Sequence, residues 1–407
     1  MYYMNIISWD AYLIELFRNF YTSGGKEMDF NFSKAQQMLK KTVADFSENR
    51  VKPRAEEIDR SGKFPKDLFL EMTKMGLTGI GTDEKYGGSG GSDIEKIIAV
   101  EEIAKHCAST AATLSIHTIF ASVLDKFGTE EQKQKYLPDV CSGGELGAFA
   151  LTEPNAGSDA GSARTTAIYD ESKEEYVLNG TKCFITGGGI AKYVLVFALT
   201  SPELKTKGLS CILVERGTPG FSIGKIEDKM GLHGSETAEL IFDNCRVPKG
   251  NLIGQPGKGF KIAMTALDGA RIGIAAQAVG IAAGALDESI KYTKERVQFG
   301  RPISSLQGLQ WYLAEMATKV ECARWMTYRA ASLKVSGLPH TKEAAIAKFN
   351  ASKTAVEVTD KALQIHGGYG YMKDYPLERM YRDAKITEIY EGTSEIHKVV
   401  IAREVLK

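Results

Sequence analysis

Glu175-Tyr-Val-Leu-Asn-Gly-Thr-Lys-Cys-Phe-Ile185 interrupts a chain that is otherwise patterned as helices. Its apolar residues alternate with polar ones, the period of a half-buried strand. Asn179-Gly180 predicts a tight hairpin turn, because that pair accepts positive φ cheaply. Tyr193-Val-Leu-Val-Phe-Ala-Leu199 and Leu209-Ser-Cys-Ile-Leu-Val214 are continuous apolar runs of buried-strand length. Phe221-Ser-Ile223, Glu239–Phe242 and Cys245–Val247 add short strands. The β region begins near Gly147 and ends near Val247-Pro248.

Both flanks are helical. Phe32, Ala35, Leu39, Val43 and Phe46 recur at helical spacing. Phe64-Pro65 opens a segment carrying Leu68, Phe69, Met72, Met75 and Leu77. Tyr86-Gly-Gly-Ser-Gly-Gly91 reads as a flexible loop. Ile94–His106 and Ser109–Phe127 are helical again, and Gly128-Thr-Glu-Glu131 starts another helix with acids in its first turn. After Gly257 come three long segments, 260–297, 307–335 and 342–366; Gly367-Gly-Tyr-Gly370 stops the third. A last helix runs from Ser394 to about Leu406. Their Ala- and Gly-rich faces point to closely apposed helices and an oligomer interface. Helices, then strands, then helices give an α+β, mainly α chain with segregated domains and no doubly wound sheet. The boundaries are an extension at 1–27, an N-terminal α domain at 28–146, a middle β domain at 147–250 and a C-terminal α domain at 251–407.

The 407 residues carry 51 basic and 51 acidic side chains, so no charge excess marks a nucleic-acid partner. The best candidate for a membrane span, Ile272–Leu286, is interrupted by Gln277 and bounded by Arg271 and Asp287. Six cysteines lie far apart with no Cys-x-x-Cys, which predicts free thiols in a reducing compartment, cytoplasmic or mitochondrial matrix, and no structural zinc. The six histidines form no local metal pair. Residues 1–27 lack the basic start and cleavage site of a signal peptide. Met28 reads as the natural start; the alternative is a short helix for a partner or a membrane surface.

Four clusters carry chemistry. Glu391 follows Ile386, Ile389 and Tyr390 and precedes Gly392 and Thr393; desolvation there would raise its pKa toward the range useful for proton transfer at carbon. Its plain reading is a solvated helix-end glutamate. Ala150-Leu-Thr-Glu-Pro-Asn-Ala-Gly-Ser-Asp159 offers main-chain donors and two hydroxyls to a heterocycle and a phosphate, or is an ordinary turn. Asp268 and Arg271 share a helix face, as a local ion pair or as contacts to a polar ligand arm. Arg296 ends a long helix, where a cation suits the helix dipole or meets a pyrophosphate, and Gln364-Ile-His-Gly-Gly368 offers an amide and exposed backbone at another helix end, or is a glycine C-cap with a polar neighbour.

Taken together, Leu151-Thr-Glu-Pro-Asn-Ala-Gly-Ser-Asp159, Gln364-Ile-His-Gly-Gly-Tyr-Gly-Tyr371 and Tyr381-Arg-Asp-Ala…Ile-Tyr-Glu-Gly-Thr393 resemble the acyl-CoA dehydrogenase family. The resemblance runs from Met28 to the C-terminus and is nearest to short-chain (butyryl-CoA) members. It implies an N-terminal helical domain, a middle β-barrel or sandwich domain and a C-terminal four-helix-bundle domain, assembled as a homotetramer. It implies FAD as cofactor, an acyl-CoA substrate and electron-transfer flavoprotein as partner. Phe149, Leu151, Thr152, Ser158, Phe184, Ile185, Thr186, Thr393 and Glu395 would contact FAD. Arg296, Phe299, Gln307, Gln364, Gly367 and Gly368 would hold a neighbouring subunit's FAD. Ser158, Asp268, Arg271 and Gly392 would meet the substrate.

By the same resemblance Glu391 removes the α-proton while the β-hydride moves to flavin N5, and the thioester oxygen is held by the Glu391 main-chain N–H and a flavin ribose hydroxyl. Some family members place the base just before the arginine matching Arg271; here that position is Ala270. Thr265 and Thr387 are candidates for the acyl pocket. Three alternatives stay open: an enoyl-CoA reductase using the site in reverse, an acyl-CoA oxidase, and a non-catalytic assembly protein on this scaffold.

Overall fold

The computed structural model describes residues 31–407, so the expectations for residues 1–27 and for Met28 as the start lie outside it. By internal packing one unit ends at Met38 and a second runs from Leu39 to Lys407. The described part of the first is the opening of helix α1 (Lys34–Phe46).

In the second unit, α2 (Ala55–Ser61) and α3 (Lys66–Lys74) lead to α4 (Asp93–Ala104), α5 (Ala108–Phe127) and α6 (Glu130–Cys141). Ser92 with Glu95 and Thr129 with Gln132 form capping boxes that satisfy the first N–H groups of α4 and α6. The glycine-rich loop before α4 is tight: Gly81 N–H donates to Gly90 O at 2.7 Å. Helix α5 is buried along nearly its whole length. His117, on that helix, lies 3.0 Å from Val140 O through Nε2 and accepts from Gly147 N–H through Nδ1, which pins α5 to the start of the sheet.

The strands are β1 (Gly147–Ala150), β2 (Thr166–Asp170), β3 (Glu175–Thr186), β4 (Tyr193–Leu199), β5 (Leu209–Glu215), β6 (Phe221–Ile226), β7 (Thr237–Pro248) and β8 (Leu252–Ile253). They pair in the order β6-β7-β3-β2-β4-β5-β8, with β1 added parallel to β4. The expected hairpin at Asn179-Gly180 does not form. β3 continues through it for 12 residues, and the register against β7 slips between Leu178 and Gly180. The glycine serves a bulge inside a long strand, where positive φ is as useful as in a turn. A second slip, between Lys182 and Ile185, leaves Phe184 at φ 57° with its ring turned outward.

Helix α7 (Gly259–Glu295) follows, then the short ladder of β9 (Val297–Gln298) and β10 (Arg301–Pro302). Helices α8 (Gln307–Val335), α9 (Thr341–His366), α10 (Leu377–Ile386) and α11 (Ser394–Val405) complete the chain. Helix α9 packs on α7, α8, α10 and α11. Helix α4 also crosses α7, so closely that a Cβ at Gly280 would lie 2.4 Å from Glu101 O and one at Gly284 2.1 Å from Lys105 O. By length and composition α7 could cross a membrane, but its apolar stretch is almost wholly buried inside the protein. It is a core helix. All six cysteines are unpaired, as their spacing predicts.

Candidate active site

The turn between α10 and α11 is anchored before it begins. Arg382 donates to Asp59 at 2.6 Å and to Glu378 at 2.8 Å, and Asp383 accepts from Leu232 N–H at 2.6 Å. These bonds tie α10 to the N-terminal helices and to the β region. Burial pushes the Asp383 carboxyl up to about 6. Past Ile386 the chain turns sharply. Glu391 adopts φ 53° and Gly392 φ 98°, and Thr393 then caps α11 by accepting from Ile396 N–H. A Cβ at Gly392 would approach the His397 ring at 3.1 Å, so both backbone angle and space favour glycine.

Glu391 is not a solvated helix end. Part of the residue remains accessible, but Oε2 is shut off from water and has no hydrogen-bond partner. Burial raises its pKa to about 7, against the opposing pull of Arg271 and Lys348. Arg271 is itself buried; Nη1 donates to Asp268 at 2.6 Å, and Nε is unpartnered. Asp268 also accepts from Thr341 at 2.8 Å. The ion pair expected from their spacing therefore exists, and it leaves the guanidinium electrostatically coupled to Glu391. On the residue before the base, the Tyr390 hydroxyl donates to Gln277 Oε1, while Gln277 Nε2 donates to Ala108 O at 3.1 Å.

The two β-region segments singled out in the sequence lie side by side. Lys182 is fully buried; its ammonium donates to Leu151 O at 2.9 Å and to Glu153 at 2.7 Å. Glu153 also accepts from Arg164 and Thr165 N–H, and Cys183 N–H donates to Thr152 O at 3.0 Å. The Leu151–Thr152 loop is thus stitched to β3 immediately before Phe184, Ile185 and Thr186. Ile185 is buried, Thr186 half-buried, Ser158 exposed, and Phe184 is 64% exposed. Phe149 and Leu151 share one apolar cluster with Ile119, Ile262, Ala266 and Ala270 of α5 and α7.

Two cavities follow from this packing. One, of about 560 Å³, lies between α4, α5 and α7, with Ser115, Thr118, Ile119, Thr265, Gly269 and Gly273 in its wall. Thr265 is in its wall; Thr387 is not among its lining residues and is fully buried, its hydroxyl donating to Ala384 O. The second, of about 500 Å³, collects Arg296, Gly367 and Gly368 with Tyr292, His366 and Tyr369. The Arg296 guanidinium sits 5.3 Å from the Tyr369 ring centre. Phe299 and Gln307 are exposed near that end of α7, as is Gln364 at the end of α9; Phe299 is 89% exposed at φ 51°. Thr393 and Glu395 lie at the start of α11, Glu395 exposed.

Family models for the N-terminal, middle and C-terminal domains of acyl-CoA dehydrogenases match residues 33–144, 148–245 and 257–406. The chain belongs to the acyl-CoA dehydrogenase family. As such it is a flavoprotein oxidoreductase acting on CH–CH groups. It is 64% identical over 382 residues to an acryloyl-CoA reductase (NADH) of Anaerotignum propionicum, covering 94% of this chain and 97% of that one. Butyryl-CoA dehydrogenase of Megasphaera elsdenii superposes with a TM-score of 0.91 at 48% identity, over 93% and 100% of the two chains. A chain in the structure of the electron-transferring flavoprotein of Acidaminococcus fermentans, described for flavin-based electron bifurcation, gives 0.92 at 51%, with the same coverage.

Against this family background, four residues escaped the sequence reading: Lys182, Gln277, Lys348 and His397. Lys182 shares a face of β3 with Tyr176 and Leu178, but a lysine reads by residue type as a solvated side chain. Gln277 reads only as a break in an apolar run. Lys348 of α9 is buried with its carbonyl partner 44 residues away, and His397 of α11 is buried against Gly392.

Proposed function

We propose that the chain interconverts a short saturated acyl-CoA and its trans-2-enoyl-CoA, with Glu391 as the base and FAD as the redox partner. One observation carries this reading: an unpartnered carboxyl oxygen, shut off from water, on a group whose pKa is raised to about 7. A carboxyl group so placed can take a proton from carbon, or return one, near neutral pH. Arg271 and Lys348 keep it ionisable despite its burial. The left-handed turn at Glu391 and Gly392 fixes where it points, and the Glu391 main-chain N–H is the donor we assign to the thioester oxygen.

The residues present fit FAD. Phe184 holds an apolar ring out to solvent beside the main chain of Leu151 and Thr152, a surface that a planar heterocycle would cover. Phe149, Leu151, Thr152, Ser158, Phe184, Ile185, Thr186, Thr393 and Glu395 would hold it. Arg296, Phe299, Gln307, Gln364, Gly367 and Gly368 would hold the FAD of a neighbouring subunit in a homotetramer, which accounts for the exposed Phe299 and the separate second cavity. When bound, FAD supplies the acceptor for the hydride leaving Cβ. Ser158, Asp268, Arg271 and Gly392 are assigned to the substrate, and Thr265 to the acyl pocket.

The butyryl-CoA dehydrogenase relative supports a short acyl chain, and the match to a chain in the structure of an electron-transferring flavoprotein supports that class of partner. A second reading is the reductive direction, favoured by the 64% identity to an acryloyl-CoA reductase. Glu391 then returns its proton to Cα. The test is a spectral titration of the yellow protein with acyl-CoAs of graded length and branching, under argon and in air. Bleaching that peaks with short chains and yields little peroxide is expected. A long-chain optimum overturns the short-chain assignment, high peroxide indicates an oxidase, and no bleaching by any acyl-CoA overturns the proposal.

A further inference from the structure

One face of α9 grips the turn that carries Glu391 at both ends. The Lys348 ammonium donates to Gly392 O at 2.7 Å, and Ser352, one helical turn later, donates to Thr387 O at 2.7 Å. Lys348 and Ser352 are both fully buried. The two bonds bracket Glu391 in the chain, and one of them is made to the carbonyl of the residue that immediately follows it. A neutral donor such as a serine hydroxyl serves at Thr387. At Gly392 the chain instead places a cation, which is costly to bury.

The surroundings explain why a cation stands there. Glu391, Glu388 and Glu395 favour its charge, and Arg271 opposes it. Burial depresses the ammonium's pKa, and the three carboxylates work against that shift. His397 packs against Gly392 with both ring nitrogens unpartnered, and burial together with Lys348 and Arg271 holds it neutral, near 3. Lys348 and Arg271 are therefore the cations that work against the desolvation of Glu391. Arg271 is already engaged with Asp268. Lys348 couples charge and position in one side chain.

Building on the assignment of Glu391 as the base, we propose that Lys348 is a positioning residue for the reaction: it locks the Gly392 carbonyl, and so the left-handed Glu391–Gly392 turn, while its charge keeps the neighbouring carboxyl ionisable. A purely structural lysine would stabilise the fold without acting on proton transfer.

The experiment follows exchange of the α-hydrogen of butyryl-CoA in D2O against pH, using the FAD-loaded protein. Exchange reports proton removal without completed turnover. Wild type should exchange with a midpoint near 7, and Glu391→Gln should not exchange. Lys348→Met and Lys348→Gln should move the midpoint upward, so that exchange at pH 7 falls about tenfold and recovers by pH 9, with Lys348→Arg restoring the wild-type profile. An unchanged midpoint in both neutral variants, whatever their Tm, overturns the proposal. Failure of both to fold assigns Lys348 to the scaffold and also overturns it. Absence of Glu391-dependent exchange in wild type removes the base assignment itself, and the role of Lys348 with it.

Discussion

Replacing Glu391 by glutamine should silence the protein and, at alkaline pH, make it more stable. The carboxyl titrates at about 7 in the folded chain against an ordinary 4.5. The folded state therefore holds this proton more tightly than the unfolded chain does. Below 4.5 both states are protonated and the residue costs nothing. As pH rises from 4.5 to 7 the unfolded chain ionises first, and stability falls; above 7 the full penalty applies. The gap corresponds to about 3 kcal/mol, already net of the attraction of Arg271 and Lys348 and an upper bound because the residue keeps some exposure. Glutamine has nearly the same shape and no charge to desolvate. For a chain of this size the gain amounts to roughly 3–5 °C in Tm at pH 8.5 and almost none at pH 4.5. Thermal scans of the FAD-loaded wild type and variant across that range would measure it, alongside acyl-CoA turnover, which should drop by at least about 100-fold. Equal Tm differences at both ends of the range, or near-normal turnover, would refute the burial argument or the base assignment respectively.

Two further outcomes are expected. Lys182→Met leaves the Glu153 carboxylate buried without its cation and frees the Leu151 carbonyl, at a cost of about 3–5 kcal/mol; it should be isolated with less bound flavin than wild type, measured as the 450 nm to 280 nm absorbance ratio. Arg271→Met removes one of the cations opposing the desolvation of Glu391. Its pH profile of kcat/KM in the dehydrogenation direction should therefore rise with a midpoint above 7, and a midpoint at or below the wild-type value would contradict the electrostatics described here.

Much of the scaffold could be read from local pattern. Gln307–Val335, legible as one long Ala-rich segment, matches α8, and Gly367 ends α9 because a glycine accepts a backbone angle that stops a helix. Glu391 was legible because apolar residues and a glycine adjoin it in sequence. Asn179-Gly180 was misleading for a physical reason: positive φ suits a bulge and a turn equally, and only pairing with β7 decides between them. Lys182 and Lys348 were invisible for another. Periodicity says which face of an element is buried, but not that an ammonium on that face reaches a carbonyl 31 or 44 residues away.

Helix α7 spans 37 residues, about 55 Å, without a break. Its early turns form a wall of one cavity and carry Arg271, its middle receives Tyr390, and its far end delivers Arg296 to the other cavity. Gly280 and Gly284 leave no slack where α4 crosses it. Adding or deleting one amino acid along this rod would swing one end by about 100° relative to the other. The phase of a single spiral thus keeps two distant chambers aligned, much as a camshaft times its valves.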